Sequence, residues 1–367
     1  MPSPLLHPKL PKYAQLAEQI RIQISSGQLK AGDRLPSFME MRTQQGVSQG
    51  IMERAYALLE QDGLVERQPG RGTFVVEPTK HPETKILGLV LHIDSKEMAT
   101  PYAMQWLAGV KSEAAKHGFK IHWLSNQDEA NIRHENLDAI LMYCHPSEAL
   151  AMNLPANLPH VLMFWCCSDF VCVGTDDFNG AKIAAEYLLS LGHRRICYLA
   201  TSPIDSISQQ RVEGFHTALN KAGITPEKRK VRFLTDYRTL GFRKSSEEAM
   251  ETWLKDGWQE LGCTAVVAHN DETAIGIIKT LTSHGLRVPE DVSVIGFDGT
   301  EISELCTPSL TTIKVPLQEI GERAVKVLLE QINGGAMESE QNILSVQLKL
   351  GESTAPLNSL IRQTVLL

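Results

Sequence analysis

The stretch LVERQPGRGTFVVEPTKHPETK, residues 64–85, separates two parts of the chain that have different sequence patterns. Two runs rich in β-forming residues, LVERQ and TFVVE, flank the sequence PGRG at 69–72, so the stretch is predicted to begin with a β-hairpin. Because glycine adds no side-chain bulk, Arg71 at the hairpin tip could approach a phosphate backbone or enter a minor groove. An ordinary surface hairpin is the alternative, and the residues before the hairpin distinguish the two.

Three helices are predicted before the hairpin. Apolar residues recur at helical spacing from Tyr13 to residue 26. Ser37 precedes Glu40 by three residues, the arrangement of a capping box, and begins a short second helix. Ser48 can cap a third helix that runs to residues 62–63. Three helices followed by a hairpin form a winged helix-turn-helix, in which the third helix enters the major groove and the wing touches the DNA backbone or minor groove.

The head of the chain resembles a known family in three phrases: YAQLAEQIRIQISSGQLKAGDRLPS, then GVS, then ALLEQDGLVERQPGRGTFV. This pattern, which covers nearly all of residues 11–77, is similar to the DNA-binding head of the GntR family of bacterial repressors. The resemblance implies that residues 1–77 form a DNA-binding domain. The residues predicted to contact DNA are Ser37, Ser48, Gln49, Gly50, Arg54, Arg71, Gly72 and Thr73.

Four head residues depart from the GntR pattern. They are Met39 and Gln49 where the family has arginine, Ile51 where it has threonine, and Glu53 where it has a basic residue. Gln49 can still address an adenine edge through two hydrogen bonds, whereas Glu53 would repel phosphate unless it is paired. Gly50, early in the recognition helix, costs about 1 kcal/mol relative to alanine.

Two interpretations of these departures remain open. Either the operator differs from the usual one of the family, or the affinity for DNA is weakened or lost. We favour a different operator, because Arg71, the wing and the rest of the family pattern are kept. Arg54 has two possible roles as well, a phosphate contact or an ion pair on the helix face.

Residues 78–85 contain two prolines and no apolar side chain, which predicts a semi-extended, solvated linker. The chain then alternates between short apolar runs and helical patterns, beginning with ILGLVLHID at 86–94. This alternation predicts an α/β fold of right-handed units with parallel sheets. Ligands bind beyond the carboxyl ends of the strands in such sheets. That rule selects polar residues at or after strand ends, namely Asp94, Asn179, Asn270, Asp271 and Asp298.

The second part of the chain also resembles a known family. Its phrases are GTDDFNGAKIAAEYLLSLGHRRICYL, RVEGFHTAL, AVVAHNDETAIG, GLRVPEDVSVIGFDG, PSLTTIKVP and GEST. Spread over residues 86–354, they are similar to the sensor domain of the LacI family, which is itself similar to type I periplasmic sugar-binding proteins. The resemblance implies that residues 86–367 form two lobes with a ligand cleft. The first lobe would comprise about 86–199 and 307–327, and the second about 200–306 and the tail.

The resemblance also implies a set of ligand contacts. Arg211, Asn270, Asp298 and Asn179 match family positions, and together they offer the donors and acceptors that a polyol requires. Tyr102, Trp165 and Tyr237 could stack on a sugar face, although a buried aromatic side chain is more often part of the core. Asp271 is expected to cap its helix. Val315 stands where relatives often have a polar contact, which leaves the ligand's identity open between a sugar and a nucleobase.

Composition limits the remaining possibilities. The chain has 367 residues, a net charge of −7, and no apolar run that would cross a membrane, so we expect a cytoplasmic protein. Residues 1–80 carry a charge of +2 and the remainder −9, the sign expected for a DNA-facing head on an acidic body. The seven cysteines form no CxxC pair and are predicted to be reduced, buried thiols. A metal site built from Cys144, His145, His160 and Cys166 has no supporting ligand spacing.

We therefore predict a repressor that responds to a small molecule, with no cofactor. Its predicted partners are double-stranded operator DNA, a carbohydrate effector and a second copy of the chain. The resemblance places the dimer contact at GHRRI, residues 192–196, and at the helix over 101–117. The main alternative is a sensor with a degenerate head that acts through protein contacts. An enzyme is disfavoured, because P-loop, HExxH and GxGxxG motifs are absent from the sequence.

Overall fold

The computed structural model describes residues 11–25, 28–76, 84–91, 100–124, 132, 136–144, 154, 158–166, 170–225, 229–334 and 342–357. Asp94 and most of the predicted linker lie outside these ranges. The chain divides into two compact units. The first unit contains Met1–His92 and Gly118–His160, and the second contains Ile93–His117 and Val161–Leu367.

The first unit begins with the predicted three helices and hairpin. The elements are α1 (Lys12–Ser25), α2 (Phe38–Gln45), α3 (Gln49–Gln61), β1 (Val65–Gln68) and β2 (Gly72–Val75). The two strands pair antiparallel, with Val65 opposite Val75. Apolar residues from all three helices and from both strands of the hairpin form one core, which includes Leu16, Ile20, Leu35, Met41, Leu59 and Val75. The winged helix-turn-helix prediction is confirmed.

A buried ion pair joins two helices of this head. Asp62, at the C-cap of α3, is only 4% exposed. It accepts a hydrogen bond from Nε of Arg21 on α1 at 3.1 Å, and an Nη2 group of the same guanidinium also contacts it. Because a buried carboxylate is costly without a partner, Arg21 stabilises the packing of α1 against the end of α3.

The last two residues of the predicted linker are attached to the sheet of the first unit. Asp138 accepts hydrogen bonds from the backbone N–H groups of Thr84 at 3.0 Å and Ile86 at 2.8 Å, and from the hydroxyl of Thr84. The carbonyl of Lys85 accepts from the N–H of Lys120 at 2.7 Å. The solvated linker predicted for 78–85 is therefore wrong at its end, because the Asp138 carboxylate satisfies the backbone donors there.

The first unit continues with three parallel strands. They are β3 (Ile86–Leu91), β4 (Lys120–Leu124) and β5 (Ala139–Tyr143). The central strand β3 pairs with both neighbours, Gly88 lying opposite His122 on one side and Ile140 on the other. A Cβ on Gly88 would lie 2.9 Å from Leu137 and 3.1 Å from Leu124, so the apolar packing over β3 requires glycine at this position.

The second unit contains the remaining elements, except that the first residue of β6, His160, belongs to the first unit. Its helices are α4 (Pro101–Lys116), α5 (Asp177–Ser190), α6 (Ser206–Lys221), α7 (Tyr237–Leu240), α8 (Phe242–Lys255), α9 (Trp258–Leu261), α10 (Asp271–Ser283), α11 (Ile302–Leu305) and α12 (Leu317–Ile332). Its strands are β6 (His160–Met163), β7 (Cys172–Thr175), β8 (Ile196–Ala200), β9 (Arg229–Phe233), β10 (Ala265–Ala268), β11 (Ser293–Asp298), β12 (Thr311–Lys314), β13 (Ile343–Leu344) and β14 (Gln347–Lys349).

A six-stranded sheet organises most of the second unit. Its strand order is β14-β12-β11-β10-β8-β9, and all neighbours are parallel except the pair of β12 and β14. β10 and β11 are entirely buried, as expected for parallel strands covered on both faces. A further group of parallel strands has β7 paired with both β6 and β13. The predicted α/β fold with parallel sheets is confirmed.

Two pairs of helices in this unit cross at glycine contacts. Gly109 on α4 lies against the backbone of Gln318 on α12, and Gly321 lies against Trp106 in return. Gly214 on α6 lies against the backbone carbonyl of Phe178 on α5. A side chain at any of these glycines would separate the helices, because the space is filled by backbone atoms.

The strand pairing differs from the predicted lobe boundaries. β8 was placed in the first lobe, but it pairs with β9 and β10. β12 was also placed there, but it pairs with β11 and β14. The apolar pattern of a fully buried parallel strand is the same in either sheet, which explains why it could not assign these strands. The division into lobes remains a prediction, with β8 and β12 moved to the second.

Four cysteines form disulfides, which corrects the prediction of reduced thiols. Cys166 pairs with Cys172 and Cys197 with Cys263, with Cα separations of 5.4 and 6.4 Å. Both separations lie within the range a disulfide spans, although chain spacings of 6 and 66 residues give no motif. The described His, Cys, Asp and Glu side chains contain no group of three that could hold a metal ion.

Candidate DNA-binding surface and effector site

The recognition helix α3 has a polar face near its N-terminus. Gln49, Gly50, Glu53 and Arg54 are all exposed on it. Nε2 of Gln49 donates a hydrogen bond to Oε1 of Glu53 at 2.7 Å, one helical turn away. Ser48 occupies the N-cap with extended backbone, but its side chain makes no capping hydrogen bond. Ser48 therefore occupies the predicted cap position, but its hydroxyl does not form the capping hydrogen bond.

The capping box of α2 is complete. The hydroxyl of Ser37 accepts from the N–H of Glu40 at 3.4 Å, and Oε2 of Glu40 accepts from the N–H of Ser37 at 2.5 Å. These hydrogen bonds, the backbone one first, lower the pKa of Glu40. Met39, which stands in the family's arginine position, is 67% exposed between them. The start of α2 therefore presents an apolar side chain and an anion.

The wing presents Arg71 at an exposed turn. Gly70 and Gly72 on either side have φ of 72° and 120°, which only glycine adopts without strain. The guanidinium carbon of Arg71 lies 5.9 Å from the centre of the Phe74 ring. The carbonyl of Thr73 accepts from the N–H of Leu35 at 2.8 Å, so the wing is joined to the segment before α2.

Arg54 lines a shallow surface groove between α1 and α3. Tyr13, Ala57, Leu58 and Gln61 form the rest of its lining. Within the described part of the chain, no carboxylate lies within ion-pair distance of Arg54. The ion pair proposed for Arg54 is therefore not formed with a described residue, and the phosphate contact remains a prediction.

Arg211 is the centre of a buried polar cluster in the second unit. It lies on α6, is 4% exposed, and stacks 3.6 Å above the Phe297 ring centre. Its Nε donates to Oδ1 of Asp177 at 2.7 Å, and its Nη1 donates to the carbonyl of His269 at 2.5 Å. Its Nη2 lies 4.0 Å from Oδ1 of Asp298. Elements distant in sequence thus meet at one guanidinium.

Asp298 lies at the end of β11, where the sequence predicted a ligand contact. It is 7% exposed and has φ of 108°, a conformation that non-glycine residues rarely adopt. Burial raises the pKa of Asp298 well above its usual range, and the carboxylates of Asp271 and Asp177 raise it further, while Arg211 opposes the change. Three acidic side chains, Asp177, Asp271 and Asp298, therefore lie close enough to interact, and a single guanidinium opposes the rise in the pKa of Asp298.

The helix cap predicted at Asp271 is formed by Asn270. Oδ1 of Asn270 accepts from the N–H of Thr273 at 2.9 Å, so Asn270 is the helix cap that Asp271 was expected to be. Asp271 is 1% exposed and accepts from the N–H of Thr300 at 2.9 Å and from the hydroxyl of Thr312 at 2.5 Å. Burial raises the pKa of Asp271 to about 6. A helix that begins one residue earlier fits the same sequence, so the sequence pattern could not decide whether Asn270 or Asp271 is the cap.

His269 belongs to the cluster, although no sequence argument selected it. It is 8% exposed, and burial, with Arg211 next, lowers its pKa well below the usual value, so the imidazole is neutral at pH 7. Its Nδ1 is buried without a hydrogen-bond partner among the described residues. Its ring stacks 6.3 Å from Phe242, which stacks 5.3 Å from Tyr237. Its position directly before the Asn270 cap was the available signal.

Three other predicted ligand residues already have contacts of their own. Trp165 donates from Nε1 to Asp205 at 3.3 Å. Tyr102 packs against Phe164 with ring centres 5.6 Å apart. The exposed Asn179 donates from its side-chain amide to Asp176 at 2.6 Å in the first turn of α5. Val315 is a buried apolar residue whose N–H donates to the Asp298 carbonyl at 3.0 Å. None of these contacts excludes a ligand, and the roles stay predictions.

Comparisons with known proteins agree with both parts of the chain. Residues 12–75 match the family described as bacterial regulatory proteins, gntR family, and residues 185–354 match the periplasmic binding protein-like domain. An arabinose metabolism transcriptional repressor from Geobacillus stearothermophilus is 26% identical over 355 residues, which cover 91% of this chain and 95% of the relative. The HTH-type transcriptional repressor PurR from Pasteurella multocida is 30% identical over 272 residues, 71% of this chain and 78% of the relative.

A solved structure has the same sensor fold. It is a LacI family transcriptional regulator from Enterococcus faecium with bound ribose, 25% identical, with a TM-score of 0.63, covering 74% of this chain and 100% of its own. A DNA-reading head on such a sensor defines a ligand-responsive regulator of transcription. The chain belongs to the bacterial transcriptional regulators that join a GntR-family head to a LacI-type, periplasmic-binding-protein-like sensor domain. The helices described are all too short or too polar to cross a membrane.

Proposed function

We propose that this protein is a transcriptional repressor whose winged head binds operator DNA and whose sensor domain binds a carbohydrate effector. The observation that carries the proposal is the buried acidic side chain of Asp298 beside Arg211. Asp298 is buried, and Arg211 at 4.0 Å is the one cation that forms an ion pair with it among the described residues. A buried carboxylate is costly without hydrogen-bond donors, and the hydroxyl groups of a sugar would supply them.

The relatives support a pentose as the effector. The name of the Geobacillus relative refers to arabinose metabolism, and the Enterococcus structure contains ribose. Both sugars present several hydroxyls on a small ring, which suits a cluster of carboxylate, guanidinium and amide groups. Asn270 uses Oδ1 for its helix cap, so its amide N–H groups remain to donate to a sugar oxygen.

The remaining site residues complete the proposal. In the sensor domain, the effector contacts are Arg211, Asp298, Asn270, Asn179, Trp165, Tyr102 and Tyr237. In the head, the DNA contacts are Ser37, Ser48, Gln49, Gly50, Arg54, Arg71, Gly72 and Thr73. We further propose a cytoplasmic homodimer without catalytic activity, because two heads can occupy two half-sites of one operator.

Selection of DNA fragments tests this function. The purified protein is mixed with sheared DNA of its source organism, alone or with arabinose, ribose or another member of a sugar panel, and bound fragments are sequenced. Enrichment of one palindromic site that one sugar abolishes or restores supports the repressor. The variant Arg71→Ala, with an intact sensor, serves as the control and should enrich the site less. No enrichment under any condition would contradict the proposal.

The exposed position of Glu53 favours a second candidate function, in which the head binds other proteins instead of DNA. Its carboxylate lies exposed on the face that would meet DNA, and phosphate would be repelled there. Effector binding to a protein that enriches no DNA would support this function.

A further inference from the structure

The hydrogen bond between Gln49 and Glu53 decides which way the Gln49 amide faces. A carboxylate only accepts hydrogen bonds, so the Gln49 group facing Glu53 at 2.7 Å must be the N–H donor Nε2. One N–H of Nε2 is used by this bond. The second N–H and the carbonyl oxygen Oε1 stay available, and they have the geometry that pairs with N7 and N6 of adenine.

The backbone of α3 at Glu53 is joined to strand β1 of the wing. Nη2 of Arg67, on β1, donates to the backbone carbonyl of Glu53 at 3.2 Å. Nε of Arg67 pairs with Oε2 of Glu60 at 3.1 Å, about two turns further along α3. The guanidinium thus binds α3 beside Glu53, and its positive charge offsets part of the repulsion that the carboxylate would exert on DNA phosphate.

We propose that Glu53 determines the base specificity of the head. It is a positioning residue for Gln49, because it fixes the amide orientation that reads adenine. Its own Oε2, which does not face Gln49, accepts from the amino group of a neighbouring base, N4 of cytosine or N6 of adenine. The inference rests on the proposed binding of the head to operator DNA.

The arrangement discriminates against guanine. Guanine presents two acceptors, O6 and N7, in the major groove, and both would face carboxylate oxygen at the position read by Glu53. The usual family arginine at the Gln49 position would instead favour guanine, since arginine donates to both of its acceptors. The two departures from the family pattern therefore act together, and the operator of this protein should carry adenine and then adenine or cytosine where related heads accept guanine.

Selection from a random DNA library tests the proposal with the full-length protein. The variants are Glu53→Gln and Gln49→Ala, and the matched control is Glu66→Gln, which makes the same chemical change at an exposed head residue on β1. Each protein is checked for the wild-type circular dichroism spectrum. We expect the wild-type and Glu66→Gln motifs to be identical and to exclude guanine at the two positions. Glu53→Gln should raise the relative affinity for guanine at its position about fivefold or more, because its amide can donate to O6 or N7.

The alternative is a carboxylate that only repels phosphate. In that case Glu53→Gln would tighten binding to all sequences equally, change the salt dependence and leave the motif as it is, which would overturn the inference while keeping the head as a DNA reader. A Glu53→Gln motif identical to that of the wild type would overturn it as well. Absence of any enriched motif for folded wild-type protein, with and without the sugar panel, would overturn both the inference and the proposed function.

Discussion

Arg211 and Asp177 form a buried ion pair, with Nε and Oδ1 2.7 Å apart and both residues at most 4% exposed. The hydroxyl of Thr175 donates a further hydrogen bond to Asp177 at 3.0 Å. The guanidinium is therefore strongly committed to groups of the protein. Asp298 interacts with the guanidinium more weakly, because its Oδ1 lies 4.0 Å from Nη2. We therefore expect the effector to contact Asp298, while Arg211 keeps the side chains of Asp177 and Asp298 in position.

Removal of Arg211 should strongly destabilise the protein. Arg211→Ala leaves Asp177 buried without its cation, which costs about 3–5 kcal/mol in comparable buried pairs. The matched control is Arg287→Ala, whose Arg287–Asp291 pair has a similar N–O distance of 2.8 Å but an arginine side chain that is 68% exposed. Urea unfolding of both variants measures the difference. Equal losses of unfolding free energy would contradict a burial-dependent role.

Asp298→Asn should separate effector binding from stability. The substitution removes a buried acidic group whose ionisation is disfavoured by burial, so the unfolding free energy at pH 7 should stay constant or rise. Arabinose or ribose affinity should fall about tenfold, because Asn offers one acceptor oxygen fewer and a hydrogen bond contributes roughly 0.5–1.5 kcal/mol. Titration calorimetry and thermal unfolding measure the two effects. Asp291→Asn, in the ion pair with the exposed Arg287, should leave sugar affinity unchanged.

Most of the fold was predictable from the sequence, because periodicity and turn residues act locally. The Ser37–Glu40 capping box and the glycine-rich wing each depend on residues a few positions apart. Lobe membership of β8 was not predictable, because a buried parallel strand carries the same apolar pattern in either sheet. The Cys197–Cys263 pair was missed for a related reason, since 66 residues separate two positions that only the folded sheet brings together.

The sequence selected several residues of the buried cluster around Arg211, but it did not give all of their contacts. Arg211 and Asp298 were selected by strand ends and family phrases, and the structure brings them within 4.0 Å. The helix cap expected at Asp271 is formed by Asn270, since a helix start one residue earlier fits the same letters. His269 was missed because a buried histidine has no sequence pattern of its own. Its partners, the guanidinium and Phe242, come from other elements.

Asp271 should make the protein less stable as the pH rises through the weakly acidic range. Its folded-state pKa of about 6 is raised above the model-peptide value of 3.8, so protonated Asp271 favours the folded state. That contribution is complete below about pH 4 and is lost as the pH rises through about 6. The unfolding free energy of the wild type minus that of Asp271→Asn should fall between pH 4 and 7, by at most about 3 kcal/mol. Denaturant unfolding at four pH values checks this, and a constant difference would refute it.

The two serine N-caps of the head should differ in their effect on stability. Ser37→Ala removes a hydroxyl that accepts from the N–H of Glu40, and should reduce helix stability by about 0.5–1 kcal/mol. Ser48→Ala removes a hydroxyl with no capping hydrogen bond, and should change it much less. Amide hydrogen exchange in α2 and α3 of the intact protein measures both. Equal protection losses in the two variants would contradict the observed capping geometry.

Asp138 should couple the effector to the operator, because it holds the point where the chain enters the sensor domain. Its carboxylate accepts from the N–H groups of Thr84 and Ile86 and from the Thr84 hydroxyl. Asp138→Ala should speed amide exchange at Thr84 and Ile86 about tenfold or more, since each hydrogen bond to a charged acceptor contributes roughly 1.5–3 kcal/mol. Residues 84–86 would then no longer be held to the sheet by Asp138. An effector would consequently change operator affinity less than it does in the wild type.

The control for this coupling is Thr84→Val, which removes the hydroxyl and keeps both backbone hydrogen bonds to Asp138. Operator affinity without effector and sugar affinity without DNA should be unchanged in both variants, because neither residue belongs to either proposed site. The effector-induced change in operator affinity should shrink in Asp138→Ala and persist largely in Thr84→Val. If Asp138→Ala keeps the full effector response while its Thr84 and Ile86 amides exchange rapidly, the signal does not depend on this attachment, and contacts made elsewhere by the head must carry it.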